Sequence, residues 1–316
     1  MSKVVIIGGG AAGMFASIFA ARNGNEVHLF EKNEKLGRKL FITGKGRCNI
    51  TNAGDMETLF QSVVSNPKFL YSSFYGYTNE DVVSFFEEIG VRTKIERGNR
   101  VFPLSDHSSD VINGLAAEMK RLGVKVYLNT KVKSIEGNAD GFQRIVLSNG
   151  EKIVADDCIV ATGGCSYQPT GSTGDGYHMA DSVGHTVTEV YPALVPLEIE
   201  EDYVRELQGL SLRNVEATIY DGKKEIYHDF GEMLFTHYGV SGPLMLTASS
   251  YITKKLRDRE MKLVIDLKPA LSEEQLNQRV LRDFEENKNK QFRNAITKLF
   301  PAKLIPIMVM LSGIEP

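Results

Sequence analysis

Three glycines near the start of the chain have the spacing of a dinucleotide-binding loop. Gly8, Gly10 and Gly13 make the pattern GxGxxG, which follows an apolar run and precedes a stretch of small residues. In this pattern the glycines permit a tight turn, let the backbone approach a pyrophosphate, and let a helix pack closely on a strand. The unpaired N–H groups at the start of that helix, around Ala11 and Ala12, favour an anion. The loop therefore predicts a phosphate site.

An acidic residue follows at the spacing that a ribose requires. Glu31 comes directly after the second apolar run, 27–30, and its carboxylate could accept hydrogen bonds from both ribose hydroxyls of an adenosine. A solvated surface carboxylate is the alternative interpretation. However, strand, glycine loop, helix, strand and acid occur in the order that a nucleotide site needs. The glycine loop by itself does not separate FAD from NAD.

The elements that must position these residues alternate between strand and helix. Residues 3–7 and 27–30 have the continuous apolar pattern of buried parallel strands, and 11–23 that of a helix. The sequence further predicts a long polar loop over 32–52, helices at 80–89 (capped by Asn79) and 109–122, and a hairpin over 91–103 that turns at Gly98-Asn99. A β-meander is predicted next, with strands at 124–128, 131–136, 142–147 and 152–154 and turns at Gly137-Asn138 and Asn149-Gly150. An apolar strand at 158–161 follows it. The fold class is therefore α/β.

The pattern changes after Pro192. Short strands are predicted at about 194–199, 212–220, 224–229 and 262–267, with one helix after Gly242-Pro243, and a helix follows Ser272, where Gln275 completes a capping box. We expect three segments: a Rossmann-like nucleotide-binding domain with a β-meander over 1–191, an inserted β-rich domain over 192–270, and the start of a helical subdomain over 271–316.

Composition limits the classes of partner. Lys and Arg total 37 against 40 for Asp and Glu, a net charge of −3 without a long run of either sign, so we expect no nucleic acid or membrane partner and a small-molecule substrate instead. Cys48, Cys158 and Cys165 make neither a CxxC pair nor a zinc motif, which predicts no metal site and a reducing, cytoplasmic location. No apolar window has the length of a membrane span.

Four segments resemble one protein family in the same order along the chain. LGRKLFITGKGRCNITN at 36–52 resembles the signature loop of the bacterial BaiN/RdsA-type (aminoacetone-oxidase-like) NAD(P)/FAD-dependent oxidoreductases. RVFP at 100–103, ATGGCSY with GSTGDGY at 161–177, and GEMLFTHYGVSGP at 231–243 resemble it as well. The resemblance implies a Rossmann-like FAD-binding domain of the glutathione-reductase type, with an inserted β-rich, split-barrel-like domain and a helical segment.

The resemblance also implies where non-covalent FAD would lie. Adenosine would contact Glu31 and Lys32, the pyrophosphate would lie on the glycine loop, and the basic loop over 35–49 would wrap the dinucleotide, because Arg and Lys donate well to phosphate. The cofactor-binding residues expected beyond the glycine loop are Glu31, Lys32, Arg38, Lys39, Thr43, Gly44, Arg47, Cys48, Asn49, Val132, Ala161, Thr162, Gly163 and Asp175. Three alternatives stay open: a merely solvated basic loop, an ordinary turn and helix cap at 171–176, and Cys48 as a packed residue rather than a redox thiol.

The family implies a two-electron flavoenzyme. FAD would pass hydride through its N5 atom between NAD(P)H and a substrate with an activated carbon–carbon double bond, or a carbonyl or amine compound. The sequence contains a single GxGxxG motif, so it predicts no second, permanent nucleotide-binding domain, and NAD(P)H would bind near the flavin only transiently. His237 and Tyr238 are candidates for proton transfer, and structural hydrogen bonding is their alternative role.

Two rival functions follow from the same residues. Family members continue with a strand and a glycine-rich segment that covers the flavin, and no such segment follows residue 272. The chain is therefore expected to be C-terminally truncated and could be a flavin-binding module or a remnant without turnover. A folate- and FAD-dependent tRNA modifier would share the glycine loop, but the balanced charge counts against RNA binding.

Overall fold

The computed structural model describes residues 1–138 and 141–314. The chain divides into two compact units, Met1–Thr188 and Glu189–Pro316. The predicted boundaries at 191/192 and 270/271 stay predictions. Within the described ranges, no helix is both long enough and apolar enough to cross a bilayer.

The first unit alternates strands and helices around a parallel sheet. Its strands are β1 (Lys3–Ile7), β2 (Glu26–Phe30), β3 (Thr51–Asn52), β4 (Thr93–Glu96), β5 (Arg100–Pro103), β6 (Lys125–Tyr127), β7 (Val132–Asn138), β8 (Gly141–Leu147), β9 (Lys152–Val154) and β10 (Asp157–Val160). Its helices are α1 (Ala11–Arg22), α2 (Arg38–Ile42), α3 (Met56–Gln61), α4 (Tyr71–Gly76), α5 (Asn79–Glu88), α6 (Ser108–Arg121) and α7 (Asp175–Ser182).

The four-stranded parallel sheet positions the carboxyl ends of its strands at one edge. Its order is β10-β1-β2-β6, and each neighbouring pair is parallel. β1 and β2 read as continuous apolar runs because sheets of this kind are covered on both faces. Ile6 and Leu29 are fully buried beneath Met14 and Ile18 of α1 in one core cluster. The predicted βαβ unit is confirmed.

The strand predicted at 124–128 does not belong to the meander. β6 pairs in parallel with β2, whereas β7, β8 and β9 form the antiparallel sheet of the meander. The reason is topological: the chain leaves β2 and returns through helix α6, and a helical crossover of this kind places β6 parallel to β2 in the same sheet. β6 thereby provides partners for the backbone groups at the edge of β2.

Three local predictions are also corrected. The segment 32–52 is not a loop throughout: it contains α2 and β3, and Leu36 and Leu40 pack against the core cluster that includes Met14 and Ile18 of α1. Helix α5 is capped by Thr78 rather than Asn79, through a capping box with Asp81. Strand β7 continues through the predicted turn at Gly137-Asn138. The hairpin turning at Gly98-Asn99 is confirmed, and both of its turn residues have positive φ.

The second unit is a five-stranded antiparallel sheet packed on helices. Its strands are β11 (Leu197–Glu198), β12 (Ser211–Asp221), β13 (Lys224–Phe235), β14 (Gly239–Ser241) and β15 (Lys262–Asp266), in the order β11-β14-β13-β12-β15, and its helices are α8 (Pro243–Leu256), α9 (Glu273–Glu286), α10 (Phe292–Ala295) and α11 (Ile305–Ser312). The predicted strand at 194–199 is only two residues long, since Leu194 has a left-handed φ of 56°. The capping box of Ser272 with Gln275 is confirmed.

Glu118 joins α6 to α1. Its carboxylate is 7% exposed and accepts bonds from Arg22 Nη2 at 2.7 Å and from Arg121 Nε at 2.6 Å. The bond from Arg121 lowers the pKa of Glu118 to about 2, against an opposing effect of burial and with help from Arg22. A carboxylate with two guanidinium partners thus fixes the helix that covers the parallel sheet.

Replacing this carboxylate should cost stability in a pH-dependent way. We expect Glu118→Gln to lower the free energy of unfolding by about 2 kcal/mol near neutral pH, because its charge-assisted bonds to two guanidinium groups are weakened. The folded pKa of Glu118 is depressed from 4.5 to about 2, so its contribution is complete above pH 4.5 and is lost as the pH falls towards 2. Denaturant unfolding at about pH 7 and about pH 3 measures the gap between wild type and variant.

Glu88→Gln is the matched control. Glu88 bonds the same Arg22 but is 61% exposed, so its loss should change the free energy of unfolding by less than about 0.5 kcal/mol. Equal losses from the two variants, or a Glu118→Gln gap that does not narrow at low pH, would contradict the assignment.

Candidate functional site

A cavity of about 700 Å³ opens where β1, β2 and β10 end at their carboxyl side. This volume lies in the range of cofactor pockets, and the carboxyl edge of a parallel sheet is where such folds bind ligands. Fourteen of the predicted residues line it: Gly8, Gly10, Ala11, Ala12, Glu31, Lys32, Arg38, Lys39, Thr43, Val132, Ala161, Thr162, Gly163 and Asp175.

The glycine loop has the geometry that its sequence predicts. Gly8 has a φ of 107°, and a Cβ there would lie 2.5 Å from the Ala161 carbonyl oxygen. A Cβ on Gly13 would lie 1.8 Å from the Gly8 carbonyl oxygen, so α1 approaches the end of β1 more closely than any side chain allows. A Cβ on Gly10 would meet no atom within 4 Å. Gly10 thus leaves space beside the first N–H groups of α1, where an anion binds.

Glu31 is buried and already hydrogen-bonded. Its Oε2 atom accepts from Gly9 N at 2.7 Å, and its Oε1 atom accepts from Asn33 N at 2.8 Å and Asn33 Nδ2 at 2.7 Å. A carboxylate offers about four lone-pair directions. The three donors therefore fix its orientation and leave acceptor capacity for a ligand hydroxyl.

The cavity lining carries an excess of positive charge. Its charged side chains are the cations Lys32, Lys35, Arg38, Lys39 and Lys131 and the anions Glu31 and Asp175. Such a balance suits a ligand with two phosphate charges, because a cationic lining offsets their repulsion. Among the described residues, no cluster of His, Cys, Asp and Glu has the arrangement of a metal site.

The Lys32 side chain lies at the cavity rim and is hydrogen-bonded to the segment on its opposite side. Its Nζ atom donates to Thr173 Oγ1 at 2.8 Å and to Asp175 Oδ2 at 2.7 Å. Burial raises the pKa of Asp175, but the bond and charge of Lys32 outweigh burial and hold that pKa below its usual value. Asp175 therefore stays ionised and ties α7 to the end of β2.

Arg47 and Asn49, two of the predicted residues of the basic loop, lie outside the cavity lining. Arg47 pairs with Glu96 and Asp106, and its guanidinium lies 4.2 Å from the ring centroid of Phe102. Asn49 donates to the carbonyl oxygen of Val101 at 2.9 Å. These contacts fasten the end of the basic loop to the hairpin of β4 and β5.

Gly13, Gly44 and Cys48 also lie outside the lining. Gly44 packs close to the backbone of Asn49, since a Cβ on Gly44 would lie 3.1 Å from Asn49 N. Cys48 is 2% exposed with a φ of 61°, and burial raises the pKa of its thiol. A protonated, buried thiol fits the packed-residue interpretation rather than a redox role.

His237 and Tyr238 lie in the second unit, between β13 and β14. Both are exposed, and their rings meet edge to face with centroids 4.3 Å apart. The Tyr238 carbonyl oxygen accepts a bond from Ile199 N at 3.1 Å. Their role in proton transfer stays a prediction.

Several lining residues were missed from the sequence: Gly9, Asn33, Thr130, Lys131, Thr170, Gly171, Ser172 and Tyr177. Gly9 lies between two glycines of the predicted loop, and Asn33 follows the predicted residues Glu31 and Lys32. Their position next to these residues was the available signal. Gly171, Ser172 and Tyr177 belong to the segment GSTGDGY, so that motif was the available signal.

The glycine loop, the buried acid and the parallel sheet define a Rossmann-type dinucleotide-binding fold, and the sequence matches place the chain among the FAD-dependent oxidoreductases. The model of the HI0933-like protein Rossmann domain family matches residues 2–267, and the chain belongs to this family. The chain is 33% identical to a 3-dehydro-bile acid delta(4,6)-reductase of Clostridium scindens, over 100% of this chain and 76% of that protein. It is 30% identical to a ribosomal RNA dihydrouridine synthase of Haemophilus influenzae, over 98% of this chain and 74% of that protein.

Two solved structures resemble part of the chain. A flavocytochrome c3 fumarate reductase matches with a TM-score of 0.47 and 21% identity, covering 67% of this chain and 47% of the other. A 3-ketosteroid-delta4-(5alpha)-dehydrogenase from Rhodococcus jostii matches with a TM-score of 0.46 and 16% identity, covering 67% of this chain and 59% of the other. The family assignment rests on the sequence matches.

Substitution of one glycine should reduce ligand binding, whereas substitution of another should reduce folding stability. We expect Gly10→Ala to weaken FAD binding at least about tenfold while the FAD-free protein keeps its unfolding temperature, because the new methyl group enters open space next to the phosphate position. Gly13→Ala should lower the unfolding temperature itself, since its methyl group would overlap a backbone carbonyl. Flavin fluorescence titration and thermal unfolding measure the two effects.

Gly76→Ala is the control for adding a methyl group. A Cβ on Gly76 also meets no atom within 4 Å, and Gly76 does not line the cavity, so both measurements should match wild type. If Gly10→Ala bound FAD as tightly as Gly76→Ala, the phosphate position assigned to this loop would be wrong.

Proposed function

We propose that the chain binds FAD non-covalently in this cavity and transfers hydride between NAD(P)H and a small organic substrate. The observation that carries the proposal is the convergence of the glycine loop, the oriented Glu31 carboxylate and five cationic side chains on one cavity. Bound FAD would take hydride at its N5 atom and pass it to the substrate.

The residues divide the task of holding the dinucleotide. The N–H groups at the start of α1 would hold the pyrophosphate, assisted by Lys35, Arg38 and Lys39 from the basic loop. Glu31 would accept from ribose hydroxyls with its remaining lone pairs. Reduction of a double bond also consumes one proton, for which His237 and Tyr238 are the candidate donors.

The relatives narrow the proposed acceptor to an activated carbon–carbon double bond. A delta(4,6)-reductase of a 3-dehydro-bile acid and a dihydrouridine synthase both saturate a carbon–carbon double bond conjugated with a carbonyl group. For this chain we propose that hydride adds to the double-bond carbon remote from the carbonyl group and that a proton adds to the double-bond carbon next to the carbonyl group. An amine or another carbonyl compound is the alternative substrate, and the cytoplasm is the proposed location.

A ribosomal RNA substrate is the second candidate. Two relatives carry this name, the second being from Escherichia coli, 31% identical over 78% of this chain and 60% of that protein. Against it stands the net charge of −3 without a basic run, because RNA binding requires cationic surface for the phosphates. The small-molecule substrate is therefore the proposal, and RNA is an outcome of its test.

Anaerobic turnover tests this function. We expect NADPH or NADH to bleach the visible flavin absorbance of the FAD-loaded chain, and an unsaturated keto-steroid to restore it. A uridine-containing ribosomal RNA fragment is the parallel acceptor, and a saturated keto-steroid is the control.

The outcomes separate the candidates. Restoration by the RNA fragment alone would transfer the proposal to the second candidate. Bound flavin that neither nicotinamide nucleotide bleaches would identify a flavin-binding module without this turnover.

A further inference from the structure

Asn33 occupies the centre of a polar network at the ribose end of the cavity. Its side-chain Nδ2 atom donates to Glu31 Oε1 at 2.7 Å and to the Thr170 carbonyl oxygen at 3.3 Å. Its Oδ1 atom accepts from Arg38 Nη1 at 2.9 Å. With its backbone N–H also on Glu31 Oε1, Asn33 supplies two of the three donors that hold this carboxylate.

The network allows only one orientation of the Asn33 amide. Rotating the amide by half a turn would place its oxygen against the Glu31 carboxylate and its NH₂ group against the Arg38 guanidinium, so that like groups would face each other. Backbone packing adds a second restraint, because a Cβ on Gly171 would lie 2.6 Å from Asn33 Nδ2. The side chain is therefore fixed before any ligand arrives.

Asn33 joins three parts of the cavity wall that lie far apart in sequence. Glu31 belongs to the end of β2, Arg38 begins helix α2, and Thr170 lies in the segment between β10 and α7. Glu31 is the proposed ribose acceptor, and Arg38 is a proposed phosphate donor. The neutral Asn33 side chain thus sets the direction of both Glu31 and Arg38. An amide group can do this because its NH₂ group donates to an anion while its oxygen accepts from a cation.

We propose that Asn33 is a positioning residue for the adenosine diphosphate half of the cofactor. It orients the Glu31 carboxylate so that the unused lone pairs point at the ribose hydroxyls, and it holds Arg38 on the phosphate side. This inference rests on the proposed binding of FAD in the same cavity. Pre-orientation of these side chains lowers the entropic cost of binding, so its loss reduces the affinity for the ligand rather than the stability of the fold.

The test compares ADP with 2′-deoxy-ADP as competitors for FAD. In wild type we expect ADP to bind about tenfold more tightly than 2′-deoxy-ADP, because the missing hydroxyl leaves a buried carboxylate without one partner. Asn33→Ala should bind ADP about tenfold more weakly and lose most of this preference. Asn33→Asp keeps the acceptor for Arg38 but adds a negative charge next to Glu31, so it should bind ADP more weakly still.

Asn25→Ala is the matched control. The Asn25 side chain is also part-buried and donates to a backbone carbonyl oxygen, that of Ala20, but it does not line the cavity. This variant should keep both the ADP affinity and the preference of wild type. Thermal unfolding of each FAD-free variant shows whether a change in affinity arises from a change in folding.

The outcomes distinguish the two proposals. A wild-type chain that binds neither FAD nor ADP would overturn the proposed function and this inference together. A wild-type chain that binds both, with an Asn33→Ala variant that keeps the preference for ADP, would overturn only the role of Asn33. The same holds if Asn33→Ala weakens both nucleotides equally in proportion to lost folding stability.

Discussion

The close approach of α1 to the end of β1 is the constraint on which the site depends. The Gly13 backbone lies so near the Gly8 carbonyl that even a methyl group would overlap it. This contact aims the start of α1, with its unpaired N–H groups, at the edge where β1, β2 and β10 end. Without it, the positive end of the helix and the acid at the end of β2 would not face the same cavity.

The polar groups around the cavity are arranged before a ligand is present. Glu31 is held by three donors, and Lys32 is tied to Asp175 and Thr173. Charged groups in a partly dehydrated cavity are costly unless they are bonded, and the fold provides partners for Glu31, Lys32 and Asp175.

The parts of the fold that local pattern determines could be predicted from the sequence. β1, α1 and β2 were foreseeable because apolar runs and glycine spacing are local signals, and so was the hairpin at Gly98-Asn99. β6 was misassigned, since a three-residue edge strand has no periodicity of its own and its partner is chosen by the crossover of α6.

The candidate site was predictable to a similar degree. Its glycines and Glu31 follow a fixed spacing, whereas Asn33 acquires its role only when Thr170, 137 residues away, folds back upon it. Arg47 shows the opposite case: the family resemblance of its loop implied a cofactor contact, which stays a prediction, and in the fold two carboxylates and an aromatic ring surround its guanidinium. Sequence spacing cannot reveal such partners, because they come from the hairpin of β4 and β5 and from the residues just after it, about 50 to 60 positions further along the chain.

The most direct test of the central claim is a fluorescence titration of the purified chain with FAD, repeated in the presence of excess ADP and of excess FMN. Our account predicts saturable binding of one FAD per chain that ADP displaces, because the glycine loop, Glu31 and the basic loop hold the adenosine diphosphate half. FMN, which lacks that half, should compete far less. Displacement by FMN but not by ADP, or no FAD binding at all, would contradict the assignment of this cavity.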